Sequence, residues 1–374
     1  MIFEFSDEQR DLRAAVRRFL AERSPMTAVR AAMETEPGYD PAVWKALVEQ
    51  LGLVGLAVPE RFGGDGGGAV DAAVIAEEAG RALLCSPYFA TVTLAGNVLA
   101  ATADSGVEDG VAQAYERILG GATATVAVSE TSARWDATEV RTTAVRGAGG
   151  WTLSGTKRYV VDGHSADLLL ILALVGEDVG FFAVDGDAPG LTRTPVPTLD
   201  PTRKLAELEL AEVPATVLGD PAAGSRVLGT AFHRVLAALA AEQVGGARRC
   251  LEMAVDYAKV RHQFGVPIGG FQAVKHACAD MLTQVEAADS AAYYAAWQVQ
   301  DDGPEIASAA LLAKAECSEA YARVAESALH VFGGIGYTWE QDIHLYLKRA
   351  RGSQYLFGAP NHHRELLARE LGYC

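Results

Sequence analysis

Apolar positions recur with a helical period over the first third of the chain. They then break into short alternating runs, and return to long helical periods towards the end. Residues 1 to 120 read as an N-terminal all-α domain. Ser6 and Gln9 make a capping box ahead of an apolar run that continues through Leu20. Asp40-Pro41 opens a second helix with Trp44, Leu47 and Leu51 on one face. Val58–Gly68 is rich in glycine; such a loop can cradle phosphate, but no βαβ pattern precedes it, so a tight turn is expected. The helix after it, Ala69 to Leu84, carries Glu77 and Glu78, expected on a solvated or interface face.

Residues 121 to 222 change character. Thr123–Val128, Glu139–Val145, Trp151–Ser154, Leu168–Leu174, Gly180–Val184 and Leu205–Leu210 alternate or run apolar between Gly, Asp and Pro. They predict a β-barrel-like domain of short strands. Residues 223 to 374 are helical again. One helix follows Pro221 and runs to Val260, and a second runs from Gln272 to Gln300. A third runs from Glu305 to Phe332, and a fourth from Gln341 to Leu356. Short links between them predict a C-terminal four-helix bundle. Ala291–Trp297 and Leu311–Ala313 are apolar on more than one face, so the bundle is expected to bury surface against other subunits.

Composition narrows the partners. The chain has 374 residues, half of them hydrophobic, and 48 acidic against 32 basic side chains give a formal charge of -16. That balance argues against nucleic acid and against an anionic membrane surface. The apolar run at Leu168–Val175 is too short to span a bilayer. Cys85, Cys250, Cys278, Cys317 and Cys374 are scattered, with no CxxC spacing. Reduced thiols in a cytoplasmic protein are the expectation, and no metal site is. The acidic stretch Met1–Glu8 lacks the apolar region of a signal peptide.

The candidate chemistry gathers at Arg261–Gln272, between two long helices. Arg261, Gln263 and Phe264 place a cation, an amide and an aromatic ring at a helix end, and Gly265 and Pro267 set a turn. A guanidinium suits phosphate, to which it gives parallel hydrogen bonds, and a phenyl ring packs on a flat ring system. On these residues alone an ordinary helix–helix connector fits equally well.

The domain order, helical, β and helical, resembles the acyl-CoA dehydrogenase family over the whole chain. Three stretches carry the resemblance. Arg261–Gln272 is similar to the family's R-x-x-F-G…Q stretch, Ala328–Tyr337 to its Q-x-x-G-G-x-G-Y stretch, and Val58–Gly64 to its V-P-x-x-x-G-G loop. The resemblance implies FAD as cofactor and α,β-dehydrogenation of an acyl-CoA thioester. A glutamate takes the α-proton, and electron-transfer flavoprotein is the usual acceptor. It also implies an FAD site made by Arg261, Gln263, Phe264, Gln272, His330, Gly333 and Gly334, which serve the adenine half of a cofactor shared with a neighbouring chain. His330 stands where the family has glutamine.

The chain departs from the family on the flavin side. The expected T-E-P-x-x-G-S-D loop reads Ser129-Glu130-Thr131-Ser132-Ala133-Arg134-Trp135-Asp136. The expected K-x-W-I-T reads Lys157-Arg158-Tyr159-Val160-Val161, with a methyl where a hydroxyl would stand. The two family positions for the glutamate base align with Phe357 and Val235. Glu242, two turns further along, is a candidate replacement or an exposed helix carboxylate, and His363 is a second candidate. Losses confined to the flavin half predict a subunit of an α2β2 heterotetramer. A second family member would supply the flavin pocket and the base, as in actinobacterial enzymes acting on steroid side-chain CoA thioesters. A self-sufficient homotetramer with a relocated base, and a non-enzymatic scaffold, are the alternatives.

Overall fold

The computed structural model describes residues 4–373; Met1, Ile2, Phe3 and Cys374, on which part of the N-terminal and thiol readings fall, lie outside them. The N-terminal third holds α1 (Asp7–Arg23), α2 (Met26–Met33), α3 (Pro41–Glu49), α4 (Leu53–Leu56) and α5 (Ala69–Arg81). A π-helix, Phe89–Gly96, follows, then α6 (Asn97–Asp104) and α7 (Val111–Leu119). Ser6 caps α1 through the expected reciprocal box with Gln9, and Asp40 accepts from the Ala42 amide at the start of α3.

The middle strands are β1 (Ala124–Ala127), β2 (Thr143–Gly147), β3 (Gly150–Val161), β4 (Leu168–Val175), β5 (Asp178–Asp185), β6 (Leu191–Val196) and β7 (Leu205–Leu218). They close on themselves in the order β4-β2-β3-β7-β5, with β5 pairing back onto β4. β1 and β2 share one edge of β4, both parallel to it. The core is the inward row of Leu153, Leu169, Ile171, Phe182, Leu208 and Val213. β3 runs seven residues beyond the expected Ser154 because Gly155, at φ +151°, lets the register shift there instead of ending the strand; a Cβ would lie 2.5 Å from Thr142 Oγ1. β6, not expected from sequence, lies beside β7 with its alternate side chains exposed and a proline near its end, as an edge strand tolerates. The stretch expected as a strand from Glu139 starts as a 3-10 turn, Ala137–Glu139, and pairs only from Thr143.

The C-terminal third holds α8 (Gly224–Val260), β8 (His262–Gln263), β9 (Val266–Pro267), α9 (Gln272–Gln300), α10 (Ile306–Phe332), α11 (Ile343–Tyr355) and α12 (Pro360–Glu370). The four long helices are those expected; α12 is an addition, with Pro360 at its first turn. No helix among the described residues is long and apolar enough to cross a membrane. Among them no disulfide joins Cys85, Cys250, Cys278 and Cys317, and no cluster of His, Cys, Asp or Glu could hold a metal.

The chain forms two compact units. One comprises 31–68 and 85–235, and includes the barrel; the other comprises 1–30, 69–84 and 236–374. In the second, α1 and α5 join the bundle as further layers. Ala292, Ala295, Ala296 and Ala313 are buried against Val70, Ala73 and Val74 of α5 and against Ala240 and Ala241 of α8. Much of the all-round apolar character of α9 and α10 is therefore satisfied within one chain. Gly80 and Gly245 let α5 and α8 touch backbone to backbone; a Cβ on Gly80 would stand 1.9 Å from Glu242 O, and one on Gly245 1.8 Å from Glu77 O.

This packing overturns the expectation for Glu77 and Glu78, which are buried rather than solvated. Glu78 takes both forks of Arg17 at 2.8 and 2.6 Å. Glu77 accepts from the Tyr293 hydroxyl at 2.5 Å and pairs with Arg13 at 3.1 Å and Arg248 at 3.6 Å. Burial raises the Glu77 pKa, and Arg13 and Tyr293 oppose that rise.

Candidate functional site

The ends of α8 and α10 are brought together by one ring contact. Tyr257 stacks on Phe332 with centroids 4.4 Å apart and planes 13° from parallel. Tyr257 lies one turn before Arg261, and Phe332 immediately precedes Gly333. Two motifs some 70 positions apart thus end at one place. Neither aromatic was singled out in the sequence; each has the spacing of an ordinary core residue.

Arg261–Gln272 is not the open loop expected. Its first half is a two-stranded hairpin, with His262 opposite Pro267 and Gln263 opposite Val266. The two residues of the turn, Phe264 at φ 52° and Gly265 at φ +81°, both adopt left-handed backbone, as a tight hairpin turn requires. Glycine does so freely, but a bulky residue at positive φ carries strain. Here the strain holds the Phe264 ring outward, 92 % exposed, with Phe271 edge-on at 6.2 Å. Arg261, Gln263 and Gln272 are exposed as well. Gln263 donates to His262 O at 2.9 Å, and Arg261 O accepts from the Ile268 amide at 2.8 Å.

The second motif closes α10. Gly333, at φ +66°, is the C-cap, a conformation that selects glycine. A Cβ on Gly333 or Gly334 would meet nothing within 4 Å, so neither glycine is required by contacts within this chain. Gly336 is the crowded one, 2.9 Å from Leu329 and Phe332. His330 is exposed, and its Nδ1 bonds Glu326 O at 2.8 Å.

The 129–136 loop of the barrel unit differs in kind, because its polar groups are taken up by the loop and by neighbouring residues of the same unit. Ser129 Oγ donates to Arg134 O at 2.8 Å, and the Thr131 and Ser132 hydroxyls both donate to Glu139 at 2.8 Å. Glu130 takes the Arg141 amide at 2.7 Å, the Thr142 amide at 3.0 Å and Lys157 Nζ at 2.6 Å. Burial pushes the Glu130 carboxyl up, but Lys157 and Thr142 outweigh it and hold it below its usual value. Burial lowers Lys157 to about 8, against the pull of Glu130. Trp135 is buried near Phe232, with centroids 6.3 Å apart, and Val161 is buried.

Neither of the two positions expected for the base carries a side chain that can move a proton. Val235 is fully buried on α8, and Phe357 is buried at φ 62° in the turn between α11 and α12. Glu242 is not the exposed carboxylate that the sequence favoured. It is buried and pairs with Arg349 at 3.2 Å, the two side chains 6 % and 2 % exposed. His363 is fully buried, and burial, then Lys314 and His362, push it down to about 3, so it stays neutral near pH 7.

Lys314 is buried beside that turn. It donates to Ser318 Oγ at 2.8 Å and to Ser353 O and Gln354 O at 2.9 and 3.2 Å, capping the end of α11. Burial lowers it from 10.5 to about 7. Between those two values the unfolded chain binds more protons than the folded one, so stability rises with pH across that window. Lys157, lowered to about 8, adds to the rise at the upper end of the window, so melting temperatures taken from pH 7 to 10 are expected to rise less in Lys314→Met than in the parent chain, with the largest difference between pH 7 and 8.

The residues of the α8–α10 end suit the adenine half of a dinucleotide: a guanidinium for phosphate, an exposed ring for stacking and a glycine cap that leaves the backbone open. The 129–136 loop does not suit the flavin half, since its hydroxyls are already committed.

Models of the acyl-CoA dehydrogenase N-terminal, middle and C-terminal domains match residues 6–109, 125–213 and 222–372, and the chain belongs to the acyl-CoA dehydrogenase family, whose cofactor is FAD. It is 36 % identical over 370 residues to acyl-CoA dehydrogenase IpdE2 of Mycolicibacterium smegmatis, covering 97 % of this chain and 98 % of that one. The Tcur3481-Tcur3483 steroid ACAD structure is 30 % identical with a TM-score of 0.86, covering 98 % of each chain. The ChsE4-ChsE5 complex from Mycobacterium tuberculosis is 27 % identical with a TM-score of 0.87, covering 100 % of each.

Proposed function

We propose that this chain is the base-less, FAD-sharing subunit of a heteromeric acyl-CoA dehydrogenase. The observation that carries the reading is the asymmetry between the two halves of the cofactor site. The adenine-side residues Arg261, Gln263, Phe264, Gln272 and His330 stand exposed, and Gly333 and Gly334 leave open backbone. On the flavin side, the hydroxyls of Ser129, Thr131 and Ser132 are taken up by Arg134 O and Glu139, and the positions for the base hold Val235 and Phe357. The partner is a second family member in an α2β2 assembly, which brings the flavin pocket and the glutamate. The substrate is an acyl-CoA thioester, and the names of IpdE2, the steroid ACAD and ChsE4-ChsE5 favour one from steroid breakdown. FAD, when bound, would supply the acceptor for a hydride from the β-carbon of the acyl group. This chain's share is to hold phosphate through Arg261 and to pack Phe264 on the adenine. Electron-transfer flavoprotein takes the electrons.

Counting FAD per chain tests this. Expressed alone, the chain is expected to carry little flavin and to lack turnover; co-expressed with its partner, it is expected to carry about one FAD for every two chains. A flavin-saturated, active homotetramer would sink the proposal. A complex that forms without flavin would favour a scaffold.

A further inference from the structure

A cleft in the bundle unit lies between α1, the α1–α2 turn, α5, α8 and α11, on elements other than the hairpin and glycine cap above. Its floor is apolar, with Leu20, Pro25 and Met26, and its rim carries Arg17, Arg81 and Arg249. The three cations are unequally committed. Arg17 is locked on Glu78 by two bonds, and Arg81 on Glu252 by two bonds of 2.6 and 2.5 Å. Among the described residues Arg249 shares the same Glu252 oxygen, at the longer distance of 3.2 Å, and stands close enough to Tyr346 to pull its pKa down against the effect of burial. Tyr346 spends its own hydroxyl proton on Arg81 O at 2.7 Å. Three guanidiniums against the two carboxylates leave one positive charge in excess, inside a chain whose formal charge is -16.

We propose that this cleft is a binding site for an amphipathic monoanion, a carboxylate with an apolar tail. The head pairs with Arg249, and the tail covers Leu20, Pro25 and Met26. A guanidinium with donors to spare matches a carboxylate. A single excess charge neutralises a monoanion and leaves a phosphate dianion uncompensated. The apolar floor excludes a small inorganic ion as the preferred occupant and gives the site its gain from area removed from water. The proposal does not depend on the flavin reading, because FAD content does not enter its test.

Calorimetric titration of the full chain, alone and in its complex, with octanoate, octan-1-ol and inorganic phosphate tests the site. Octanoate is expected to bind at a single site per chain. Octan-1-ol, which keeps the tail and lacks the charge, should bind at least about tenfold more weakly, the factor a lost charged hydrogen bond gives. Phosphate should give no binding. Arg249→Gln should weaken octanoate at least about tenfold. Where that variant fails to fold, Ala82→Phe, which fills the cleft from the turn after α5, decides the matter by abolishing octanoate binding. Unchanged octanoate affinity in the deciding variant overturns the proposal. So does phosphate binding as tightly as octanoate, or a parent chain that does not bind octanoate.

Discussion

Replacing Arg261 by alanine in the co-purified complex is expected to weaken FAD binding about 10- to 150-fold, the range spanned by a hydrogen bond to a charged group. The melting temperature of the chain without flavin should not move. Arg261 is exposed at the end of α8, and its backbone, rather than its side chain, anchors the hairpin through Ile268. Arg261→Lys should fall between the two, since an ammonium keeps the charge and loses the parallel pair of donors. The measurement is flavin fluorescence on titration of the apo-complex. An alanine variant that binds FAD as tightly as the parent would remove Arg261 from the site and leave the hairpin as a connector.

The second large effect is on stability. Breaking the Glu242–Arg349 pair from either side should cost about 3–5 kcal/mol, because the group left behind is a buried charge that has lost its oppositely charged neighbour. Replacing both, as Glu242→Leu with Arg349→Met, should recover most of that loss, since two apolar side chains of similar volume demand no desolvation. Denaturant titration of the two single variants and the double variant measures the coupling directly. The same series bears on catalysis. Glu242→Gln is expected to retain turnover in the complex at temperatures where it is folded. Turnover that vanishes while the variant still unfolds cooperatively would restore Glu242 as the base.

What could be seen in the sequence depended on range. Helices α8, α9 and α10 announce themselves through long apolar periods closed by local stops, Val260-Arg261 before a glycine turn, Asp301-Asp302-Gly303 and Gly333-Gly334. Strand β6 and helix α12 were hidden because the apolar pattern of each is weak. β6 alternates with nothing apolar on its outer face, and α12 is short and mostly polar apart from Leu366 and Leu367. The carboxylates were misjudged because their partners are remote. Nothing near Glu78 points to Arg17, and Arg349 lies 107 positions from Glu242. An isolated glutamate on a helix is usually solvated, and only tertiary packing reverses that. In the candidate site, the resemblance to the family pointed to Arg261–Gln272 and His330–Gly334, and the structure places the two stretches at neighbouring helix ends. The resemblance could not reveal the left-handed Phe264, the Tyr257–Phe332 contact that joins the two stretches, or the local bonding of the 129–136 loop.

The interleaving of α1 and α5 with the C-terminal bundle bears on how the chain is made. Gly80 packs on Glu242, and Arg17 and Glu78 sit among helices that leave the ribosome much later. At about 5–20 residues per second, α5 waits roughly 10–30 s for α8 to appear. Through that interval the apolar face of Val70, Ala73 and Val74 and the carboxylates of Glu77 and Glu78 lack their native cover. The barrel segment emerges in between and can close by itself. Vectorial synthesis therefore produces a folded middle with a waiting amino-terminal arm, the kind of nascent surface that chaperones hold until the last helices are released.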